Sequence, residues 1–155
     1  MEKCYVLFPG KFKPVHSGHI ALMEKYINST DYDVHLTIII SRMSKEGLDP
    51  NTSKWFLDRI YAKNPKVTVK VSTDPSPIGT VYNMAGQAEM GEGVYAMGTS
   101  AKGGDIKRAE DFVAKFAEGG KYFTPGVEAI FFPVNPEPLM YTGRTDMYAD
   151  APVSS

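Results

Sequence analysis

Val34-His35-Leu36-Thr37-Ile38-Ile39-Ile40 is an almost unbroken apolar run rich in β-branched side chains. Such side chains suit a pleated strand. A run lacking in-out alternation is expected where both faces of the strand are covered, as at the centre of a parallel sheet. His35 inside it reads as a structural residue. Outward from this run, the flanking segments alternate in kind. Lys3 to Pro9 reads as a buried strand closed by Pro9-Gly10. His19 to Ile27 places Ile20, Leu22, Met23, Tyr26 and Ile27 at the spacing of one helix face. Ser41 to Asn51 reads as a polar loop, after which Asn51 or Thr52 is the expected cap of a helix. That helix carries Trp55, Phe56, Leu57, Ile60 and Tyr61, and Trp55, Phe56 and Tyr61 read as core side chains. Val67 to Val71 alternates as a strand, Ile78 to Met90 reads as a helix, and Gly93 to Met97 as a strand. Lys107 to Ala117 reads as a helix stopped by Gly119-Gly120, and Val127 to Val134 as the last strand. Strand and helix in strict alternation predict an α/β fold: a Rossmann-like, doubly wound parallel sheet of about five strands with helices on both faces. No repeat or linker interrupts residues 1–155, so one domain is expected.

Composition narrows the function classes. Apolar residues make up 43% and charged residues 23%, a globular balance. Lys plus Arg number 17 against 18 Asp plus Glu, so no bulk charge draws the chain to nucleic acid or to a membrane surface. Any anion must be bound by a local site. Cys4 is the lone cysteine and lies in an apolar stretch, which predicts a buried, inert thiol. No apolar run approaches the roughly 20 residues of a membrane span. The N-terminus opens directly on a strand-like run, so a cytoplasmic protein is expected.

In such sheets ligands bind beyond the carboxyl ends of the strands, near the reversal of strand order. The loop leaving the first strand is therefore the place to look. It reads Gly10-Lys11-Phe12-Lys13-Pro14-Val15-His16-Ser17-Gly18-His19. Gly10 permits close backbone approach, Pro14 restricts the loop, and the following helix N-terminus favours an anion. His16 and His19 add ring donors at the same place. Read blandly, two histidines three apart merely satisfy backbone groups at a loop and helix start. A metal site is not expected, because no cysteine or third histidine stands at zinc spacing.

The segment resembles the G-x-F-x-P-x-H-x-G-H signature of the nucleotidyltransferase superfamily. That superfamily includes cytidylyltransferases and the adenylyltransferases of nicotinamide mononucleotide and phosphopantetheine. Ser41-Arg42 and the loop beyond them are similar to phage-type and nicotinamide-mononucleotide-type members. Met97-Gly98-Thr99-Ser100, with Asp105 and Arg108, stands where the family has a Gly-Ser-Asp-like turn and a basic residue. Val153-Ser154-Ser155 resembles the opening of the family's second motif, I-S-x-T-x-x-R, whose remaining Thr and Arg positions are absent from this sequence. Two readings follow, a shortened form of a longer enzyme or a chain that lost part of its catalytic apparatus.

The resemblance implies transfer of AMP or CMP from ATP or CTP to a phosphorylated acceptor, with release of pyrophosphate. It implies His16, His19 and Lys11 as catalytic residues. Phe8, Pro9, Gly10, Lys11, Phe12 and Lys13 would line the nucleotide, joined by Gly18, Gly98, Thr99 and Arg108. Ser154 and Ser155 would complete that set, and Arg42 would hold the acceptor. Mg²⁺ would accompany the nucleotide, carried mostly by phosphate and water. Partners would be small molecules, without nucleic acid or membrane, and a homo-oligomer is compatible with this reading. The alternatives are a non-catalytic nucleotide-binding or assembly module, and a metal-dependent hydrolase using the two histidines.

Overall fold

A computed structural model of the chain describes residues 1–43, 47–101 and 103–135. In order, the elements are β1 (Lys3–Gly10), α1 (Ser17–Ile27), β2 (Asp33–Ile40), α2 (Pro50–Ile60), β3 (Val67–Val71), α3 (Pro77–Gly86), β4 (Gly93–Met97), α4 (Gly103–Phe116) and β5 (Val127–Ile130). The five strands form one sheet in the order β3-β2-β1-β4-β5. Every neighbouring pair is parallel. The Rossmann-like α/β architecture expected from the alternation is the one observed.

Period-two alternation sorts the strand side chains between two cores. Val6, Phe8, Leu36, Ile38, Ile40 and Val69 point to one face, where they meet Met23 and Tyr26 of α1 and Leu57 of α2. Leu7, Ile39, Tyr95 and Met97 point to the other, against Val81 and Met84 of α3 and Phe112 and Phe116 of α4. Ile38, Ile39 and Ile40 are each fully buried although they alternate in direction. This is why β2 shows no polar face in sequence. Cys4 is buried with them, and burial pushes its thiol up to about 12, far from reactive.

Several boundaries differ from the expected ones. α1 begins at Ser17 because the His16 ring caps it. α2 begins at Pro50, capped by Asp49, whose carboxylate accepts the Asn51 N–H at 2.8 Å. α3 stops at Gly86, and α4 starts at Gly103, well before Lys107. β5 ends at Ile130, although Val134 still pairs with Ser100 in an isolated bridge.

One core expectation is overturned. Beyond its first residue Pro50, α2 buries Ser53 and Leu57 and is followed by the buried Tyr61, a narrow stripe at intervals of four. Trp55 and Phe56 lie off that stripe and are 58% and 46% exposed. The Arg59 guanidinium lies over the Trp55 ring, 4.6 Å from its centre. Tyr61 is buried as expected. Among the described residues no helix is long and apolar enough to cross a membrane.

Tyr26 ties α1 to the far side of the sheet. Its hydroxyl accepts the buried Thr99 N–H at 2.9 Å. It lies 2.6 Å from the Phe132 carbonyl and 3.0 Å from that of Thr99, and its one O–H serves one of them. Burial raises the phenol's pKa, so it stays protonated. Tyr26→Phe would keep the packing but leave the Thr99 N–H without a partner. An unsatisfied buried donor costs about 1–3 kcal/mol. Urea unfolding of Tyr26→Phe is expected to show a loss of that size with an unchanged m-value; an unchanged midpoint would remove this link from the account.

Candidate functional site

The sheet order reverses between β1 and β4. The chain leaves β1 toward β2 on one side and leaves β4 toward β5 on the other, so a crevice opens at their carboxyl ends. A cleft of about 760 Å³ lies there, within the range of small-molecule sites.

Its floor is the loop after β1. Phe12 has φ of +52°, a left-handed conformation that strains a bulky residue. Its surroundings hold it there. The ring is almost fully buried, meeting Phe8 at 5.8 Å and the edge of His19 at 4.9 Å between centres. Its carbonyl accepts the hydroxyl of Ser53 from α2. A Cβ on Gly10 would fall 2.6 Å from the Phe12 ring, so glycine is required two residues before it. The Gly10 carbonyl accepts the Ser41 N–H at 2.8 Å, joining this loop to the one after β2.

The two histidines cap α1 reciprocally. Nδ1 of His16 accepts the Gly18 N–H at 3.1 Å, and Nδ1 of His19 accepts the His16 N–H at 3.1 Å. This is the geometry of a capping box, with imidazoles in place of a hydroxyl and a carboxylate. The rings stack 3.6 Å apart, tilted by 20°. A nitrogen that accepts carries no proton, so each neutral ring bears its hydrogen on Nε2. Nε2 of His16 is buried and meets no partner among the described residues, as does the hydroxyl of Ser17. Burial lowers the pKa of His16. Burial and then the charge of His16 bring His19 down to about 4. Both rings are therefore neutral Nε2–H donors near pH 7. The bland reading, histidines that satisfy backbone groups, describes the Nδ1 atom of both rings.

The other expected residues distribute unevenly. Phe8, Pro9, Gly10, Lys11, Phe12, Lys13, His16, His19, Gly98, Thr99 and Arg108 all line the cleft. Gly98 packs on β1, where a Cβ would fall 2.9 Å from Cβ of Phe8. Thr99 faces the cleft, but its N–H is held by Tyr26. Arg108 lies 3.7 Å from Asp105, which in turn accepts from the Ser100 hydroxyl at 3.4 Å. Lys13 donates to the carbonyls of Ser41, at 2.7 Å, and of Met43. Gly18 is buried in α1 and is not part of the lining. Arg42 is exposed, lies outside the lining, and donates to the Thr73 carbonyl at 2.9 Å. Ser154 and Ser155 lie outside the described residues.

Sequence reading missed Ser76, Pro77 and Ile78, which also line the cleft. The signal was present: Ser76 caps α3 by accepting the Ile78 N–H at 3.2 Å, with Pro77 in the first turn. What was not readable is that α3 packs across β2 and β1 on its way to β4. That path brings its first turn over the carboxyl ends of the central strands.

Residues 7–78 match the family model described as Cytidylyltransferase-like. The matched stretch runs from β1 into the first turn of α3 and contains the whole loop with both histidines. Similarity to this family supports the nucleotidyltransferase superfamily and nucleotidyl transfer as the general chemistry. A search of curated proteins finds no match.

The histidine environment gives a pH prediction. His19 binds a proton less readily in the folded chain, near 4, than at its ordinary value of 6.5. Stability from this ring is complete above pH 6.5 and is lost as the pH falls toward 4. The shift corresponds to about 3 kcal/mol. Chemical denaturation of the wild type across this window should show that loss. His19→Asn, which can still accept the His16 N–H, should show a flatter profile; equal slopes would mean that the His19 ring is not held neutral by the fold.

Proposed function

We propose that the protein transfers AMP or CMP from ATP or CTP to a phosphorylated small-molecule acceptor, releasing pyrophosphate. The observation that carries this reading is the pair of neutral Nε2–H donors, fixed by the cap of α1 at the switch-point cleft. A phosphate oxygen of the acceptor attacks the α-phosphorus. The bond from that phosphorus to the bridging oxygen breaks, and the electron pair leaves on pyrophosphate. No covalent enzyme intermediate is needed, so the chain's task is alignment and stabilisation of growing negative charge.

His16 and His19 donate to the triphosphate as that charge develops. Neutral rings suit this task, since their hydrogen bonds point in one direction and no proton needs to leave. Lys11, exposed at the cleft mouth, supplies a cation for phosphate. Phe8, Pro9, Gly10 and Phe12 form the floor under the nucleotide, and Gly98, Thr99 and Arg108 form its β4 side. Arg42 is assigned to the acceptor, from the turn after β2.

Mg²⁺ would enter with the nucleotide and neutralise phosphate charge. Among the described residues no group of three or more His, Cys, Asp or Glu is placed to hold a metal ion. Asp105 is the carboxylate that lines the cleft. This donor set fits an ion carried by phosphate oxygens and water, with at most one protein carboxylate.

A second reading, a nucleotide-binding or assembly module without turnover, draws on a different observation. Arg108, Arg42 and Lys13 are all engaged with acceptors of the protein itself. Binding without chemistry would need only the loop and the capped helix.

Calorimetric titration with ATP and with CTP, each with Mg²⁺, tests the site. The wild type is expected to bind one of them, and a folded His16→Ala/His19→Ala variant to lose it. No binding by the folded wild type would contradict both readings. Pyrophosphate release in a screen of phosphorylated acceptors then separates enzyme from module. For an active acceptor, His19→Asn should lower the rate by roughly 10² or more, the scale of one preorganised donor.

A further inference from the structure

The loop after β1 carries two lysines, and the structure gives them different surroundings. Lys11 is exposed at the mouth of the cleft. The Lys13 ammonium is turned onto the chain itself, donating to the carbonyl of Ser41 at 2.7 Å and to that of Met43. An ammonium has three N–H donors, so two of them are committed to backbone. The turn they hold is tied at further points. The Ser41 N–H donates to Gly10, the Ser41 hydroxyl accepts the Met43 N–H at 3.3 Å, and Arg42 within the turn reaches the Thr73 carbonyl. Ser41 is buried and lines the cleft beside Ser76–Ile78, on the opposite flank from Gly98 and Arg108.

We propose that Lys13 is a positioning residue that fastens the 41–43 turn to the loop after β1, and is not a ligand of the nucleotide phosphates. Through that turn it sets the place of Ser41 on this flank of the cleft and of Arg42 just outside it, the acceptor side. The assignment of that flank to the acceptor rests on the nucleotidyl-transfer reading; the fastening of the turn does not. Moving Lys13 to a phosphate would break two charge-assisted bonds and free two carbonyls beside a buried serine. Burial and then the charge of Lys11 already oppose protonation of Lys13, while Asp49 favours it. Lys11 is free to bind phosphate without any such loss.

The test uses the full chain with Lys13→Met, which keeps the stem and removes the donors, and Lys13→Arg, which restores donors. Amide hydrogen exchange is followed at Ser41 and Met43, and ATP and CTP with Mg²⁺ are titrated by calorimetry. Lys13→Met is expected to speed exchange at both amides by about tenfold or more, the equivalent of losing one bond to a charged group. Its nucleotide Kd should stay within about twofold of wild type, since roughly tenfold corresponds to a lost phosphate contact. Lys13→Arg should restore slow exchange. Unchanged exchange in Lys13→Met would overturn the proposal, and so would a tenfold weaker nucleotide Kd. If the wild type binds neither nucleotide, the nucleotidyl-transfer reading fails on its own, and exchange at Ser41 and Met43 still decides whether Lys13 holds the turn.

Discussion

Two backbone N–H groups, those of His16 and Gly18, bind ring nitrogens where most helix starts use a hydroxyl or carboxylate. This reciprocal cap determines much of what surrounds it. It fixes which nitrogen of each ring carries the hydrogen, and it holds the two rings in a 3.6 Å stack. It also fixes where α1 begins. Burial of the stack against Phe12 keeps both rings uncharged. Phe12 in turn can lie under His19 only because Gly10 has no side chain and because Ser53 holds the Phe12 carbonyl in a strained turn. Glycine, phenylalanine and the two histidines of the loop are thus parts of one packing arrangement, whose product is a pair of fixed, neutral rings.

The sheet supplies the place for them. With β1 central and the order reversing at its side, the loops after β1 and β4 part and leave an open crevice. The walls come from elements far apart in sequence: the turn after β2, the first turn of α3, and the start of α4. Contacts between the walls are specific. Tyr26 links α1 to the strand end at Thr99, and Lys13 links the first loop to Ser41 and Met43. The polar groups that line the crevice divide into those tied to the protein and those without a partner among the described residues. Nε2 of His16, which is buried, and the exposed ammonium of Lys11 belong to the second kind.

What was legible in the sequence follows from how local each feature is. β3 and β4 were readable to the residue, because Val67–Val71 and Gly93–Met97 carry strand character within themselves. The loop was readable because its chemistry is contiguous. The start of α1 was not, since histidine is not among the usual capping residues and its role depends on a ring three positions away. Trp55 and Phe56 stand beside Leu57 in an apolar stretch, and from sequence alone a core place is expected for them. Only the narrow contact of α2 with the sheet selects Ser53, Leu57 and Tyr61 instead. The contribution of Ser76–Ile78 depends on a helix crossing two strands, which no local pattern encodes. Lys11 and Lys13 are both loop lysines in the sequence, and only the structure shows that the Lys13 ammonium meets the carbonyls of Ser41 and Met43.

The central claim is that His16 and His19 present protonated Nε2 atoms to a nucleotide triphosphate. The most direct measurement is ¹⁵N–¹H correlation spectroscopy of histidine side chains near pH 7, without and with ATP or CTP and Mg²⁺. The account predicts that both rings are neutral with hydrogen on Nε2, and that the bound nucleotide shifts both Nε2–H signals. Rings protonated on Nδ1, or charged rings in the free protein, or Nε2–H signals that ignore a bound nucleotide, would contradict it.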